Sequence, residues 1–263
     1  MATKRFLMIG AHPDDPDVHF GAAAILLTRA GHQVKFVSVT NGEAGHQQMD
    51  PAALAARRYG ETQAAAKFAG VCEYQVLSNR DARLEKTLAN REALTRIIRE
   101  FQPDVVLTHR LCDYHPDHRT TAQLVMDTSF LVRVPLFCPG TPVPPQNPVY
   151  AYVYDRFTDP RRIRPDAYMA VDGIMDEAMQ LLAFHESQFF EWLPWVGGFA
   201  PPADHKNMPW EEKKAFLLEH WGHFYTDAAR LLGLPDVKYA EVFEQSEYGK
   251  CVTPEEFKAL FQV

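Results

Sequence analysis

The chain has 263 residues, 46% hydrophobic and 23% charged, the make-up of a globular protein able to bury a sizeable core. Its formal charge of −7 argues against nucleic acid and anionic membrane surfaces as partners, and no apolar stretch is long enough to span a bilayer. The four cysteines, Cys72, Cys112, Cys138 and Cys251, form no CxxC pair, so neither a disulfide framework nor a structural cysteine zinc site is expected. The apolar run before His12 is too short for a signal-peptide core, and a cytoplasmic protein is the expectation.

Residues 5–11, RFLMIGA, read as a short buried strand, and 34–39, VKFVSV, as a second. The helix between them is expected to take Asp15 as N-cap and Pro16 as its first residue, with Gly31 just past its end. Asp50-Pro51 opens another helix that closes at Gly70. A strand near CEYQVL follows, then a helix over NREALTRIIREF that Pro103 stops, then the strand DVVLTH. This β-α-β-α-β-α-β alternation predicts an α/β protein, Rossmann-like, with a mostly parallel sheet and helices on both faces. The glycines do not form GxGxxG, so no dinucleotide fingerprint is present.

Residues 134–148 contain six prolines in fifteen positions and read as a semi-rigid loop: an excursion near the site or at a subunit contact, or else a plain connector. VYAYVYD (149–155) and AYMAVD (167–172) are further strands, and Asp172 is expected to cap the helix after it. The tail from about 200 is expected to be a mostly helical extension of one domain, with Thr253-Pro254-Glu255-Glu256 as a capping box for the last helix.

The chemistry concentrates in IGAHPDDPDVHFG, residues 9–21, which holds two histidines and three aspartates. His12 and Asp15 sit at a strand-to-helix turn, and ligand crevices of open α/β sheets lie at the carboxyl ends of strands. An imidazole and a carboxylate there suit a divalent transition metal, with Asp14 between them. A second cluster, HRLCDYHPDHRTT (109–121), follows a later strand; it repeats the chemistry with His115-Pro116-Asp117-His118 and can converge on the same ion. Two histidines and one carboxylate would leave a position open, the catalytic rather than the structural kind of zinc site. Asp17 reads as a first-turn carboxylate favoured by the helix dipole. His19 and His32 read as surface residues, and His220 and His223, despite their HxxH spacing, as packed or surface histidines in preference to a second metal site. Phe189, Phe190, Trp192 and Trp195 read as core or a homo-oligomer contact, with a sugar-stacking platform as the sharper alternative.

AHPDD with a glycine six residues on, paired with HPDH downstream, resembles the N-acetylglucosaminyl deacetylase family called LmbE-like or PIG-L-like. SVTNGEAG (38–45), Arg58, Glu61 and HESQ (185–188) extend the resemblance over roughly the first 190 residues. It implies a zinc amidohydrolase, with Fe2+ able to take the same ligands, acting on a small N-acetylated amino sugar or glycoconjugate. Position by position it implies His12, Asp15 and His118 as metal ligands, Asp14 as general base, a protonated His115 at the oxyanion, Asp117 orienting a histidine, and Arg58 reaching toward substrate. Pro16 departs from the glutamate common after HPDD: either Asp17 supplies that contact from the next position, or the substrate differs. Two readings compete: a non-haem Fe(II) oxygenase, since two histidines and a carboxylate also make a facial triad, and a metal- or sugar-binding protein without catalysis.

Overall fold

The computed structural model describes residues 2–202 and 204–263. In chain order they form β1 (Arg5–Gly10), α1 (Asp15–Arg29), β2 (Gln33–Thr40), α2 (Pro51–Ala69), β3 (Glu73–Asn79), α3 (Leu88–Phe101), β4 (Val105–Thr108), α4 (Pro116–Leu131), β5 (Val149–Val153), β6 (Ala167–Ala170), α5 (Met175–Ala183), α6 (Leu193–Gly197), α7 (Trp210–Trp221), α8 (His223–Leu232), β7 (Ala240–Gly249) and α9 (Pro254–Leu260). A π-helical turn, Ser187–Trp192, leads into α6. No helix among the described residues is long and apolar enough to cross a membrane.

The sheet has the order β3-β2-β1-β4-β5-β7-β6. Its first five strands are parallel, and β7 runs antiparallel to both β5 and β6. Alternation along β1 assigns the faces. Phe6 and Met8 join α1, α2, α5 and α7 on one side, while Leu7 and Ile9 join α3 and α4 on the other. The strand order reverses between β1 and β4, the place where such sheets open a crevice at their carboxyl ends.

Several expectations change here. The tail is not simply helical, because β7 enters the sheet next to β5. Its glutamates disguise it, since glutamate is depleted in strands. Glu244 is buried against Arg161 and Arg164, and Glu241 accepts from the backbone N–H of Ala22 and Ala23 in α1 at 3.0 and 2.9 Å. Phe243 packs edge-on against Phe20, with ring centres 5.5 Å apart. Asp172 caps no helix; its carboxylate accepts from the Lys238 N–H at 3.0 Å, joining the chain just before β7 to the β6 end. His32 is buried, accepting the Lys4 N–H at Nδ1, and His19 is half-buried between His109 and Phe224. Thr253 does form the capping box of α9.

The proline-rich loop lies away from the carboxyl ends of the parallel strands. Its residues 144–148 line a cavity of about 320 Å³ with Pro103 and Asp104, at the amino ends of β4 and β5. Arg99 organises its first half. This guanidinium is 1% exposed and donates to six backbone carbonyls, those of Leu131, Val132, Val134, Phe137, Cys138 and Thr141. A chain poor in regular hydrogen bonds thus has its carbonyls satisfied by one buried cation.

Replacing Arg99 by Ala strands those carbonyls, each worth about 1–3 kcal/mol if left dry. The expected loss is at least about 3 kcal/mol in urea denaturation; a loss under about 1 kcal/mol would show that the loop finds its own hydrogen bonds. Glu241 gives a pH-dependent test. Burial pushes its carboxyl from 4.5 up to about 8, against the two helix N–H donors that favour the anion. The native state therefore keeps a proton that the unfolded chain has lost, so stability falls as pH rises through that interval and levels off above it. Glu241→Gln cannot ionise. Its stability relative to wild type should rise by on the order of 4 kcal/mol between pH 5 and 8. A pH-independent difference would contradict the burial argument.

Candidate active site

The turn after β1 is tight because Gly10 permits it. A Cβ on Gly10 would lie 2.6 Å from the Asp15 Cβ and 2.9 Å from the Pro16 Cδ. The His12 N–H donates to Asp15 Oδ2 at 2.7 Å, and the Asp15 N–H returns to the His12 carbonyl at 3.2 Å. Asp14, not Asp15, is the helix N-cap residue, and its side chain makes no capping bond. Asp15 is instead turned inward toward the imidazoles.

His12, Asp15 and His118 come together at the β1–β4 crevice. His12 Nδ1 lies 3.3 Å from Asp15 Oδ2 and 3.2 Å from His118 Nε2, and His118 Nε2 lies 3.5 Å from Asp15 Oδ1. The outer nitrogens face carboxylates: His12 Nε2 is 3.3 Å from Asp81 and 3.5 Å from Asp117, and His118 Nδ1 is 3.1 Å from Asp113. Protons on those outer nitrogens leave both inner lone pairs available on the Asp15 side. Once the proton shared with Asp15 is displaced, three acceptors that close are a site for a cation. An ion bound tetrahedrally at about 2.0–2.1 Å sets its ligand atoms about 3.3–3.4 Å apart. The donor set fits such an ion.

The charges agree with this. Burial alone would raise the Asp15 carboxyl, but the imidazoles of His118, His109 and His12 hold it well below the usual carboxylate range. Burial would lower His12, yet Asp15, Asp117 and Asp81 carry it well above its ordinary value. An ion taken up here displaces a proton, so its affinity rises with pH.

The remaining expected residues surround this centre. Asp14 Oδ1 accepts from Arg58 Nη2 at 2.6 Å, while Oδ2 accepts no hydrogen bond among the described residues. Arg58 is 2% exposed; it also bonds the Gly42 carbonyl, so its contact is with Asp14 and not with open space. Gly42 has φ +69, and any Cβ there would run into the guanidinium at 2.7 Å. His115 is the N-cap of α4, and its Nδ1 accepts the Asp117 N–H at 3.2 Å. That bond corrects the expected imidazolium: Nδ1 has no proton to give, and Nε2 carries the N–H. Burial, then the charges of His12 and His118, lower the His115 pKa in the same sense. Asp117 accepts from Ala82 and Leu84, tying α4 to the chain after β3.

Some residues received no role from the sequence, although His109 and Asp113 lie within the second cluster. His109, at the end of β4, stacks on His118 with ring centres 4.1 Å apart and lies 3.2 Å from Asp15. Its place in DVVLTH, at a strand end facing the crevice, was the available signal. Asp81 and Asp113 carry no spacing signal. Asp17 is no simple first-turn carboxylate: it is fully buried, 2.9 Å from His185 Nε2.

Residues 7–129 match the family model PIG-L, GlcNAc-PI de-N-acetylase. Diacetylchitobiose deacetylase of Thermococcus kodakarensis is 26% identical over 203 residues, 73% of each chain. Over residues 7–129, just under half of its length, the chain matches the PIG-L family, also called LmbE-like. The 1D-myo-inositol 2-acetamido-2-deoxy-alpha-D-glucopyranoside deacetylase of Streptomyces avermitilis is 30% identical over 171 residues, 53% of this chain and 58% of that protein. Among solved structures, N,N'-diacetylchitobiose deacetylase from Pyrococcus horikoshii aligns with a TM-score of 0.72 and 26% identity, over 92% of this chain and 84% of its own. The hydratase GalB of Pseudomonas putida shares the fold at TM-score 0.70 and 20% identity, over 95% of this chain and 99% of its own. Within the PIG-L fold, function therefore has to be argued from the site.

With His12, Asp15 and His118 as ligands, His12→Ala should reduce bound zinc from one equivalent to near none in native mass spectrometry. His109→Ala, which alters only a neighbour of the ligands, should keep the ion with affinity lower by about 10–100-fold. The reverse order would make His109 the ligand in place of His12.

Proposed function

We propose that this protein is a metal-dependent N-deacetylase that hydrolyses the acetamido group of an N-acetylglucosamine-type sugar conjugate. The observation that carries the reading is the pairing of a cation site with Asp14, a carboxylate whose second oxygen is free beside it in the chain. Hydrolysis needs a base at that point; the oxygenase reading assigns Asp14 no task. The deacetylases among the relatives support the substrate class.

A divalent ion, zinc in our reading, supplies Lewis acidity at His12, Asp15 and His118 when bound. Asp14 Oδ2 takes a proton from the attacking water as its oxygen adds to the amide carbonyl carbon. The Arg58 guanidinium on Oδ1 fixes the carboxylate's orientation during this transfer. The His115 Nε2–H donates to the carbonyl oxygen as negative charge grows there; the Nδ1 bond to the Asp117 N–H holds the ring in that tautomer. The C–N bond then breaks, and Asp14 returns its proton to the leaving nitrogen. Acetate and a free amine result.

The test is acetate release from a panel of N-acetylglucosamine conjugates by zinc-loaded protein. Wild type should release acetate from at least one. Asp14→Asn should lower kcat by about 10²–10⁴-fold with KM changed far less. Metal-loaded wild type that binds a conjugate without releasing acetate would favour the non-catalytic binding protein instead.

A further inference from the structure

The π-helical turn Ser187–Trp192 has no part in the chemistry above. Such turns are rare and concentrate at functional sites. This one is tied down residue by residue. Ser187 donates from both N–H and Oγ to Glu61, at 2.9 and 2.6 Å. Gln188 Nε2 donates to the Gly45 carbonyl at 3.0 Å. Glu191 accepts from both terminal nitrogens of Arg57, at 2.8 and 2.7 Å, and lies 2.9 Å from His46 Nε2. Just before the turn, His185 holds Asp17. Every partner lies on α1, α2 or the loop between β2 and α2.

What this scaffold presents is a pair of indoles. Trp192 and Trp195 stack with ring centres 5.3 Å apart and 22° between planes. The neighbouring Phe189 and Phe190 are buried in the core, but Trp195 is 56% exposed. Trp192 also shares a neighbour, Gly45, with the guanidinium that holds the base. A Cβ on Gly45 would lie 3.1 Å from Arg58 Nη1 and 3.5 Å from Trp192 Nε1, and Arg58 holds Asp14. An exposed tryptophan braced by another, on an anchored segment linked through Gly45 and Arg58 to Asp14, offers a flat apolar surface at low ordering cost.

We propose that Trp192 and Trp195 form a sugar-stacking subsite for the second ring of the substrate. It takes the apolar C–H face of a pyranose linked to the N-acetylated sugar that meets Asp14. This placement of the first ring rests on the deacetylase reading. The subsite makes the protein selective for disaccharides over free N-acetylglucosamine, by the apolar area that the second ring buries.

Calorimetric titration of zinc-loaded Asp14→Asn protein with N,N'-diacetylchitobiose and with N-acetylglucosamine tests it, since this variant holds substrate without rapid turnover. The disaccharide should bind at least about tenfold more tightly. Adding Trp195→Ala should bring the ratio of affinities near one, and Trp195→Phe should restore most of it. Circular dichroism melts confirm that each variant is folded, which the exposure of Trp195 favours. No preference for the disaccharide, or a preference that survives Trp195→Ala, overturns the subsite. Acetate release by wild type is measured alongside. A ratio that responds to Trp195 without acetate release sinks the deacetylase reading and keeps the subsite; acetate release with an unresponsive ratio does the opposite.

Discussion

The carboxylate of Asp15 is the constraint around which the catalytic end is arranged. It is buried, bonded to the His12 N–H, and faced by the imidazoles of His12, His109 and His118. An anion so placed is tolerable only with compensating positive charge. That requirement pulls the turn after β1 and the first turn of α4 together, since His118 can reach Asp15 only when α4 starts at the same crevice. The outer ring of Asp81, Asp113 and Asp117 then sets which imidazole nitrogens face inward.

Polar pairs also connect this centre to the rest of the molecule. Tyr74 of β3 donates to the Pro13 carbonyl inside the turn that carries His12 and Asp15. His185–Asp17 and Ser187–Glu61 run from the segment after α5 to α1 and α2. These groups are buried and hydrogen-bonded, so they restrict the turn to one arrangement and do not merely add stability. Pro16 fits this picture. It occupies the first turn of α1, where its missing N–H costs nothing, and Asp17 makes the inward contact from the next position.

The parallel part of the sheet was legible because its signals are local. Apolar runs ended by Asp-Pro, Gly or Pro punctuate β1 to α4, and the two His-Pro-Asp turns fall at strand ends. The site's chemistry was legible for the same reason. β7 was not, because Glu241 and Glu244 mark it as exposed while their partners, the α1 backbone and Arg161, lie far away in sequence. Of the readings open for the proline-rich loop, a place near the site fails, because nothing in its composition says at which end of the strands it lies. Only Arg99, from another helix, reveals its anchorage.

By itself the sequence determined the alternation of strands and helices, the turn that carries His12, Asp14 and Asp15, and the second cluster with His115, Asp117 and His118. These depend on residues near one another in the chain, where turn stereochemistry and helix capping decide the outcome. The tertiary structure alone decided that His109 and Asp81 join the centre and that Arg58 serves Asp14. Each of these is set by burial and by a partner from a distant element. Short-range pattern carries no record of which buried charges will meet once the sheet has closed.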